Sequence, residues 1–224
     1  MVRSAVAVPG DWKPKSIGSV RIGAIGKDSL ILRSNNPLAK VIQLVPDQIV
    51  TKKVMKKITL RDGLVHPDLK QDILKIAVVE RHHASGNIGV GLVQGFGLKK
   101  GAIGSSVAHD SHNLVVVGTN DEDMWEAIRS LQRLSGGMVA VSGGKRISSV
   151  PLPIAGLMAN ASVRQVHGQM QGLLASAKRL GCKLPDPFMT LSFLSLPVIP
   201  ELKLTDKGLV DVNQFKIVPL FGED

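Results

Sequence analysis

Four short apolar segments follow one another in the middle of this chain, and they constrain its fold more than any other feature. Their sequences are DILKIAVVER (72–81), NIGVGLVQGF (87–96), GAIGSSVA (101–108) and LVVVGT (114–119). In the second segment Ile88, Val90 and Leu92 alternate with other residues, which is the period of a β-strand. Glycines and polar turn residues separate the segments. The pattern therefore predicts four strands.

Two longer segments predict amphipathic helices. The first begins after a Thr119-x-x-Glu122 capping box and stops at Gly136-Gly137. Between the two helices, Gly143-Gly144 predicts the turn of a hairpin. The second helix is expected from Ser162 to Leu180, and its apolar stripe consists of Val163, Val166, Met170, Leu173, Ala177 and Leu180.

The remaining segments complete the predicted architecture. Residues 1–40 contain many glycines and prolines, so we expect a linker or lead-in segment there and a domain over 41–224. The proline-rich segment 187–221 predicts two or three short strands with a turn at Asp206-Lys207-Gly208. The predicted fold class is α/β, with α+β as the alternative: a mixed β-sheet layer covered by amphipathic helices.

The composition limits the core and the compartment. Hydrophobic residues make up 44% of the chain but aromatic residues only 3%, so the core must be largely aliphatic. The single cysteine, Cys182, excludes an internal disulfide and fits a reducing compartment. The longest apolar run, 188–200, contains two prolines and is too short to span a bilayer. No signal peptide is visible at the start. We therefore expect a cytoplasmic protein without a membrane partner.

The formal net charge of +10 raises the question of a nucleic-acid partner. Lys52, Lys53, Lys56 and Lys57 form the densest basic cluster, but no aromatic residues stand between them to stack on bases. A solvated face of a short element explains the lysines equally well. We therefore expect no nucleic-acid partner, and keep a basic nucleic-acid-binding protein as the third-ranked function.

Four histidines follow the first and third predicted strands. His82 and His83 close one segment, and His109 and His112 flank Asp110-Ser111, which favours a turn. If the two segments end at the same side of the sheet, these imidazoles and a carboxylate would suit a transition metal. The alternative is that these groups bind loop backbone at a buried turn.

Several catalytic motifs are missing. The glycines after residue 86 do not form G-x-G-x-x-G in register, and no Walker A pattern is present. G-x-S-x-G is absent as well. The pattern H-x-E followed by P-C-x-x-C, typical of zinc nucleobase deaminases, is also absent, since one cysteine cannot supply it.

Three long segments carry a resemblance to a known family. They are KIAVVERHHASGNIGVGLVQGFGLKKGAIGSSVAHDSHNLVVVGTNDEDM (75–124), VPLPIAGLM (150–158) and PFMTLSFLSLPVIPELKLTDKGLVDV (187–212). In this order they resemble the C-terminal domain of adenine deaminases of the amidohydrolase superfamily. The resemblance covers about residue 41 to the C-terminus.

The resemblance implies hydrolysis of adenine to hypoxanthine and ammonia in purine salvage, with a manganese or iron pair activating the attacking water. In the family this metal pair lies in a (β/α)8 barrel whose first ligands form an H-x-H motif. The present sequence contains no H-x-H and is too short to add such a barrel. We therefore expect no (β/α)8 barrel in this chain, and turnover that needs a catalytic barrel domain or subunit. Family resemblance also suggests a homo-oligomer.

The loops ERHHASGN and AHDSHN supply the candidate site residues. One hypothesis places them at the mouth of the barrel, near adenine; the other has them bind a separate metal or fix the domain interface. The mouth or interface candidates are Glu80, His82, His83, Asn87, Ser106, Asp110 and Asn113. The metal candidates are His82, His83, His109 and His112. The alternative function is a non-catalytic purine-binding or metal-binding module built on the same histidines.

Overall fold

A computed structural model describes residues 18–222 of the chain. The first strands in this range are β1 (Leu38–Leu44), β2 (Thr51–Lys57), β3 (Thr59–Arg61), β4 (Leu64–His66), β5 (Ile73–Val79), β6 (Ile88–Gln94), β7 (Ala102–Ser105) and β8 (Leu114–Gly118). The later strands are β9 (Gly137–Ser142), β10 (Lys145–Pro151), β11 (Leu202–Thr205), β12 (Gly208–Asp211) and β13 (Lys216–Val218). The helices are α1 (Asp121–Arg133), α2 (Val163–Arg179) and α3 (Pro187–Phe193).

Within the described residues, eight strands form one mixed sheet in the order β10-β9-β7-β8-β5-β6-β1-β2. All neighbours are antiparallel except β1 and β6, which run parallel. The four strands predicted from the central segments are confirmed as β5 to β8, and the hairpin at Gly143-Gly144 is confirmed as β9–β10. The sheet stays open, with β10 and β2 at its edges, so these residues do not close into a barrel.

Side-chain alternation along β5 divides the core into two layers. Leu74, Ile76 and Val78 pack with α2, α3 and the small sheet β11-β12-β13 on one face. Ala77 and Val79 pack with α1 on the other face. The prediction of a sheet layer covered by amphipathic helices is therefore confirmed, and burial of both faces explains why every residue of β5 except Lys75 is apolar.

The helix starts agree with the sequence in one case and differ in the other. Ser162 caps α2 in a reciprocal capping box with Gln165, as predicted. The cap of α1 is Asn120 instead of Thr119, because the Asn120 side chain accepts the backbone N–H of Asp123. Val163, which the sequence places in the apolar stripe of α2, does not pack on the sheet. It is 87% exposed, since only the C-terminal half of this helix packs closely on the sheet.

The C-terminal part contains a helix that the sequence analysis missed. Strands β11, β12 and β13 and the turn after Thr205 follow the prediction, but α3 was expected to be extended. Asp186 caps α3 by accepting the N–H of Met189, and Pro187 occupies its first turn. Both are ordinary helix-start signals. The high β-propensity of Phe188, Thr190 and Phe193 favoured an extended segment over these helix-start signals.

The lead-in segment contributes to the core within its described part. Leu30 is fully buried and Val20 is nearly so, and both pack on the face that α1 covers. Strand β1 already begins at Leu38, before the expected start of the domain at residue 41. Residues 1–17 lie outside the described residues. None of the helices in residues 18–222 combines the length and the apolar character needed to cross a membrane.

A partly buried ion pair connects α1 to the sheet. Lys75 of β5 is 3% exposed, and its Nζ lies 2.7 Å and 2.9 Å from the two carboxylate oxygens of Asp121 at the start of α1. The same ammonium donates to the carbonyl of Leu30 at 3.2 Å. All three N–H donors of Lys75 therefore have partners, which is the condition for tolerating a buried charge.

We expect Asp121→Asn to lower the free energy of unfolding by about 2–3 kcal/mol, because it leaves the buried Lys75 ammonium without its counter-ion. Urea denaturation followed by circular dichroism measures this. The matched control is Glu122→Gln, an exposed carboxylate in the same helical turn, for which we expect less than about 0.5 kcal/mol. Equal losses in the two variants would contradict a specific role for the ion pair.

Candidate functional site

The loops after β5 and β7 meet at one end of the main sheet. Both strands are antiparallel to β8, which lies between them, so their C-terminal ends point the same way. The ring Nε2 of His82 lies 2.8 Å from the carbonyl oxygen of Ser111. We call this surface, formed by residues 80–87 and 109–113, the loop face.

Glu80 organises the first loop from inside. One carboxylate oxygen accepts the backbone N–H groups of His82 and His83, and the other accepts the N–H and hydroxyl of Ser85. Burial alone would raise the pKa of Glu80. The hydrogen bonds from Ser85, His83 and His82 outweigh it and lower the pKa from the ordinary 4.5 to about 2. Glu80 is therefore an ionised structural group at neutral pH.

Arg81 connects the loop face to two further segments. Its side chain is 1% exposed, and its Nε donates to the carbonyl of His112. One terminal nitrogen donates to Ala155 O at 3.0 Å, and the other lies 3.3 Å from the hydroxyl of Ser19. A Cβ on Gly156 would lie 2.7 Å from this second nitrogen, so only glycine leaves room for the guanidinium.

The histidines occupy different environments. His82 and His83 are exposed, with ring centroids 6.4 Å apart, and point away from the core. His109 packs its ring 4.7 Å from that of Phe193 in α3 and 6.1 Å from that of His112. Burial, followed by the charges of His109 and Arg81, lowers the pKa of His112 below its ordinary value. His112 therefore favours the neutral imidazole.

Ser106 and Asn113 are both buried. The Ser106 hydroxyl donates to Gly156 O at 2.6 Å and accepts the N–H of Gly137 at 2.7 Å. It therefore joins the loop after β7 to the start of β9. Asn113 is 4% exposed, so its amide is not a surface group. Asp110, in contrast, lies exposed at the tip of its loop.

Sequence reasoning missed Asp206 as part of this site. Its two carboxylate oxygens accept from Asn113 Nδ2 at 3.1 Å and from Asn87 Nδ2 at 3.5 Å, so it bridges the two loops. The β11–β12 turn reaches them because Gly89 has no side chain: a Cβ there would lie 1.9 Å from Thr205 O. The sequence showed a turn at Asp206 and a glycine in β6, but not that they touch.

The arrangement gives no support to a metal site built from this chain alone. In residues 18–222, no group of three or more His, Cys, Asp or Glu side chains is placed so as to hold a metal ion. Three of the four candidate histidines have separate surroundings. His82 contacts Ser111, His83 is exposed and His109 packs on Phe193.

Comparison with known proteins agrees with the resemblance described above. A family model for the adenine deaminase C-terminal domain matches residues 48–216. The chain belongs to this family. An adenine deaminase of Dehalococcoides mccartyi is 50% identical over 212 residues, which are 94% of this chain and 37% of that protein. One from Desulfatibacillum aliphaticivorans is 51% identical over 214 residues, 95% of this chain and 37% of that protein.

A third relative, an adenine deaminase of Methanothrix thermoacetophila, is 51% identical over 199 residues, 89% of this chain and 35% of that protein. The chain thus spans little more than a third of the relatives it matches. It corresponds to their C-terminal part. The matched region includes every residue of the loop face.

We expect Glu80→Gln to lower the free energy of unfolding at pH 7 by about 2 kcal/mol, because three backbone N–H groups lose an ionised acceptor. The Glu80 pKa is lowered on folding, so its contribution is complete above the unfolded value of 4.5 and is lost as the pH falls toward about 2. The difference between wild type and variant should therefore shrink between pH 5 and pH 3. Urea denaturation at several pH values measures it.

Glu122→Gln serves as control for Glu80→Gln, since it removes an exposed carboxylate. It should leave the pH dependence of stability nearly unchanged. A difference between wild type and Glu80→Gln that stays constant from pH 7 to pH 3 would contradict the assigned role of the Glu80 carboxylate.

Proposed function

We propose that this chain works as the C-terminal domain of an adenine deaminase, in the hydrolysis of adenine to hypoxanthine and ammonia. One observation carries the proposal: proteins named adenine deaminase are about 50% identical to nearly the whole chain, which covers only 37% of their length. We therefore propose that this chain contributes one domain to an activity that requires the full length of the relatives. Purine salvage and a cytoplasmic location belong to the same proposal.

The described residues of this chain do not fit the manganese or iron pair that the family resemblance implies, because they contain no three-ligand cluster. We therefore assign the metal to a separate catalytic barrel. A metal pair there would supply Lewis-acid activation of water. The present chain alone is then expected to be inactive toward adenine.

The loop face is the surface that we propose to contact the barrel. His82, His83 and Asp110 are exposed on it. Glu80 binds backbone N–H groups of the first loop, and Arg81 binds the carbonyl of His112 in the second. A backbone fixed by buried groups presents its exposed side chains in a defined position, which a functional interface requires.

The path of the N-terminal segment supports this placement. Residues 19–25 run along the first loop: the N–H of Arg21 donates to Arg81 O at 2.8 Å, and Gly23 lies against Ala84 and Gly86. The relatives continue beyond this region on their N-terminal side, since this chain matches their C-terminal part. Their preceding domain would therefore approach the loop face.

Of the sequence candidates, we assign Glu80, Ser106 and Asn113 to positioning. The polar atoms of Glu80 and Ser106 bind groups of this chain, and Asn113 is buried. We assign contact with the barrel or with its substrate entrance to the exposed candidates, which are His82, His83, Asn87 and Asp110.

The lysine cluster has a structural explanation that competes with nucleic-acid binding. Lys52, Lys53, Lys56 and Lys57 lie on β2, an edge strand of the main sheet. Lysines on an edge strand oppose pairing with other chains. Lys53 also forms an ion pair with Asp211 at 2.8 Å.

A chimeric enzyme tests the proposal. The C-terminal part of the Dehalococcoides mccartyi adenine deaminase is replaced by this chain, and adenine turnover is measured with added manganese. We expect the chimera to be active and the isolated chain to be inactive. His82→Ala with His83→Ala should lower kcat/KM of the chimera by about tenfold, equivalent to about 1.4 kcal/mol of lost interaction.

The control variant for the chimera is His167→Ala, an exposed histidine on α2 outside the loop face. It should leave kcat/KM unchanged. Turnover of adenine by the isolated chain would overturn the assignment of the metal to a barrel. A folded chimera without activity would overturn the proposed role of this chain as a deaminase domain.

A further inference from the structure

A second region of the protein, separate in sequence from the loop face, contains a cavity of about 210 Å³. It lies between α3 and the connection from β1 to β2. Its apolar walls include Leu44, Val45, Leu184, Phe193 and Leu194. Nothing in the proposed deaminase role uses this cavity.

The size and the walls restrict what the cavity can hold. Sites for drug-sized ligands have volumes of roughly 300–1,000 Å³, so this smaller space suits a molecule of about one ring system. The ring of Phe193 contributes an aromatic surface, against which a flat ring packs better than a branched chain. The polar groups of the lining must therefore determine which flat ligands of this size bind.

The charged groups of the polar lining are both carboxylates. Asp47 and Asp186 contribute carboxylates, and Gln48, Thr51 and Thr190 contribute uncharged polar groups. One carboxylate oxygen of Asp186 accepts the backbone N–H of Met189 and so caps α3. Within the described residues, the lining includes no Lys, Arg or His side chain.

Lys203 is a basic group that contacts the backbone of the lining. Its Nζ donates to the carbonyl of Ile49 at 2.9 Å, and its side chain is fully buried. Burial lowers the pKa of Lys203 to about 8. Even with Lys203 protonated, the two carboxylates of the lining outnumber this ammonium, which disfavours an anionic ligand.

We propose that this cavity is a binding site for a small flat aromatic ligand that carries an amidine or amino-heterocycle edge. The ring lies against the apolar walls and Phe193. The N–H groups of the edge donate to the carboxylates of Asp47 and Asp186, as charge-assisted hydrogen bonds when the ligand is a cation. The proposal does not depend on the deaminase assignment and requires no turnover for its test.

The ring of His109 can report ligand binding in the cavity. Phe193 lines it, and the ring of Phe193 lies 4.7 Å from the ring of His109 in the loop face. A ligand that contacts Phe193 should therefore shift the NMR resonances of the His109 ring. Exposed His167 on α2 should show no shift and serves as the internal reference.

A pair of probes with the same shape and opposite charge tests the proposal: benzamidine and benzoate. Adenine is the third probe, because its amino group and ring nitrogens form a similar edge. By calorimetry and histidine NMR we expect benzamidine to bind with a Kd of about 0.1–1 mM, the range for a ligand of this size. Benzoate should bind at least about tenfold more weakly, because the carboxylates repel it.

Asp47→Asn and Asp186→Asn remove the charges at little structural cost. Asn tolerates the φ of 57° at Asp47 and caps a helix as well as Asp does at 186. We expect the double variant to weaken benzamidine binding by about tenfold or more. The matched control is Asp62→Asn, another exposed turn aspartate with a φ of 51°, which should leave binding unchanged.

Three results would overturn the proposal. They are no saturable binding of benzamidine or adenine, benzoate binding as tight as benzamidine binding, and unchanged affinity in Asp47→Asn. The single Asp47→Asn variant keeps the test decisive if the double variant loses its fold, which circular dichroism reports.

Discussion

The guanidinium group of Arg81 lies inside the protein and joins segments that are far apart in the chain. It donates to Ser19, to the carbonyl of His112 and to the carbonyl of Ala155, while its own backbone continues β5 into the first loop. A buried arginine is costly unless its donors are matched. Here its planar fork meets oxygens from three directions, and Gly156 leaves the space it needs.

This arrangement separates the polar residues of the site into two kinds. Glu80, Ser106 and Asn113 are buried. Glu80 binds the backbone of the first loop, Ser106 binds the backbone of Gly137 and Gly156, and Asn113 donates to the Asp206 carboxylate. His82, His83 and Asp110 lie on the outside. Such a surface is formed before any partner binds, which reduces the entropy that binding must cost. In the role proposed above, this preformed face is where the chain would meet a catalytic barrel.

Local patterns were enough to predict much of the fold. The alternation in 72–119 indicated β5 to β8, and the Ser162 box located the start of α2. Helix α3 was missed because its β-forming residues outweighed the Asp186-Pro187 start signal. The contact of Asp206 with both loops depends on the packing of a distant turn against Gly89, which no local pattern contains. Residue type was enough to select both Ser106 and His83 as candidates. Only the structure shows that Ser106 is buried and His83 is exposed.

The central claim is that Arg81 holds the loop face in place, and hydrogen exchange of backbone amides tests it most directly. Arg81→Lys keeps the charge but replaces the fork with a single ammonium. We expect faster exchange together in residues 19–25, 82–87, 109–113 and 154–158, with β5 and β8 still protected, and no change in the Arg179→Lys control on α2. Faster exchange confined to residues 82–87, or spread evenly over the whole sheet, would contradict the claim.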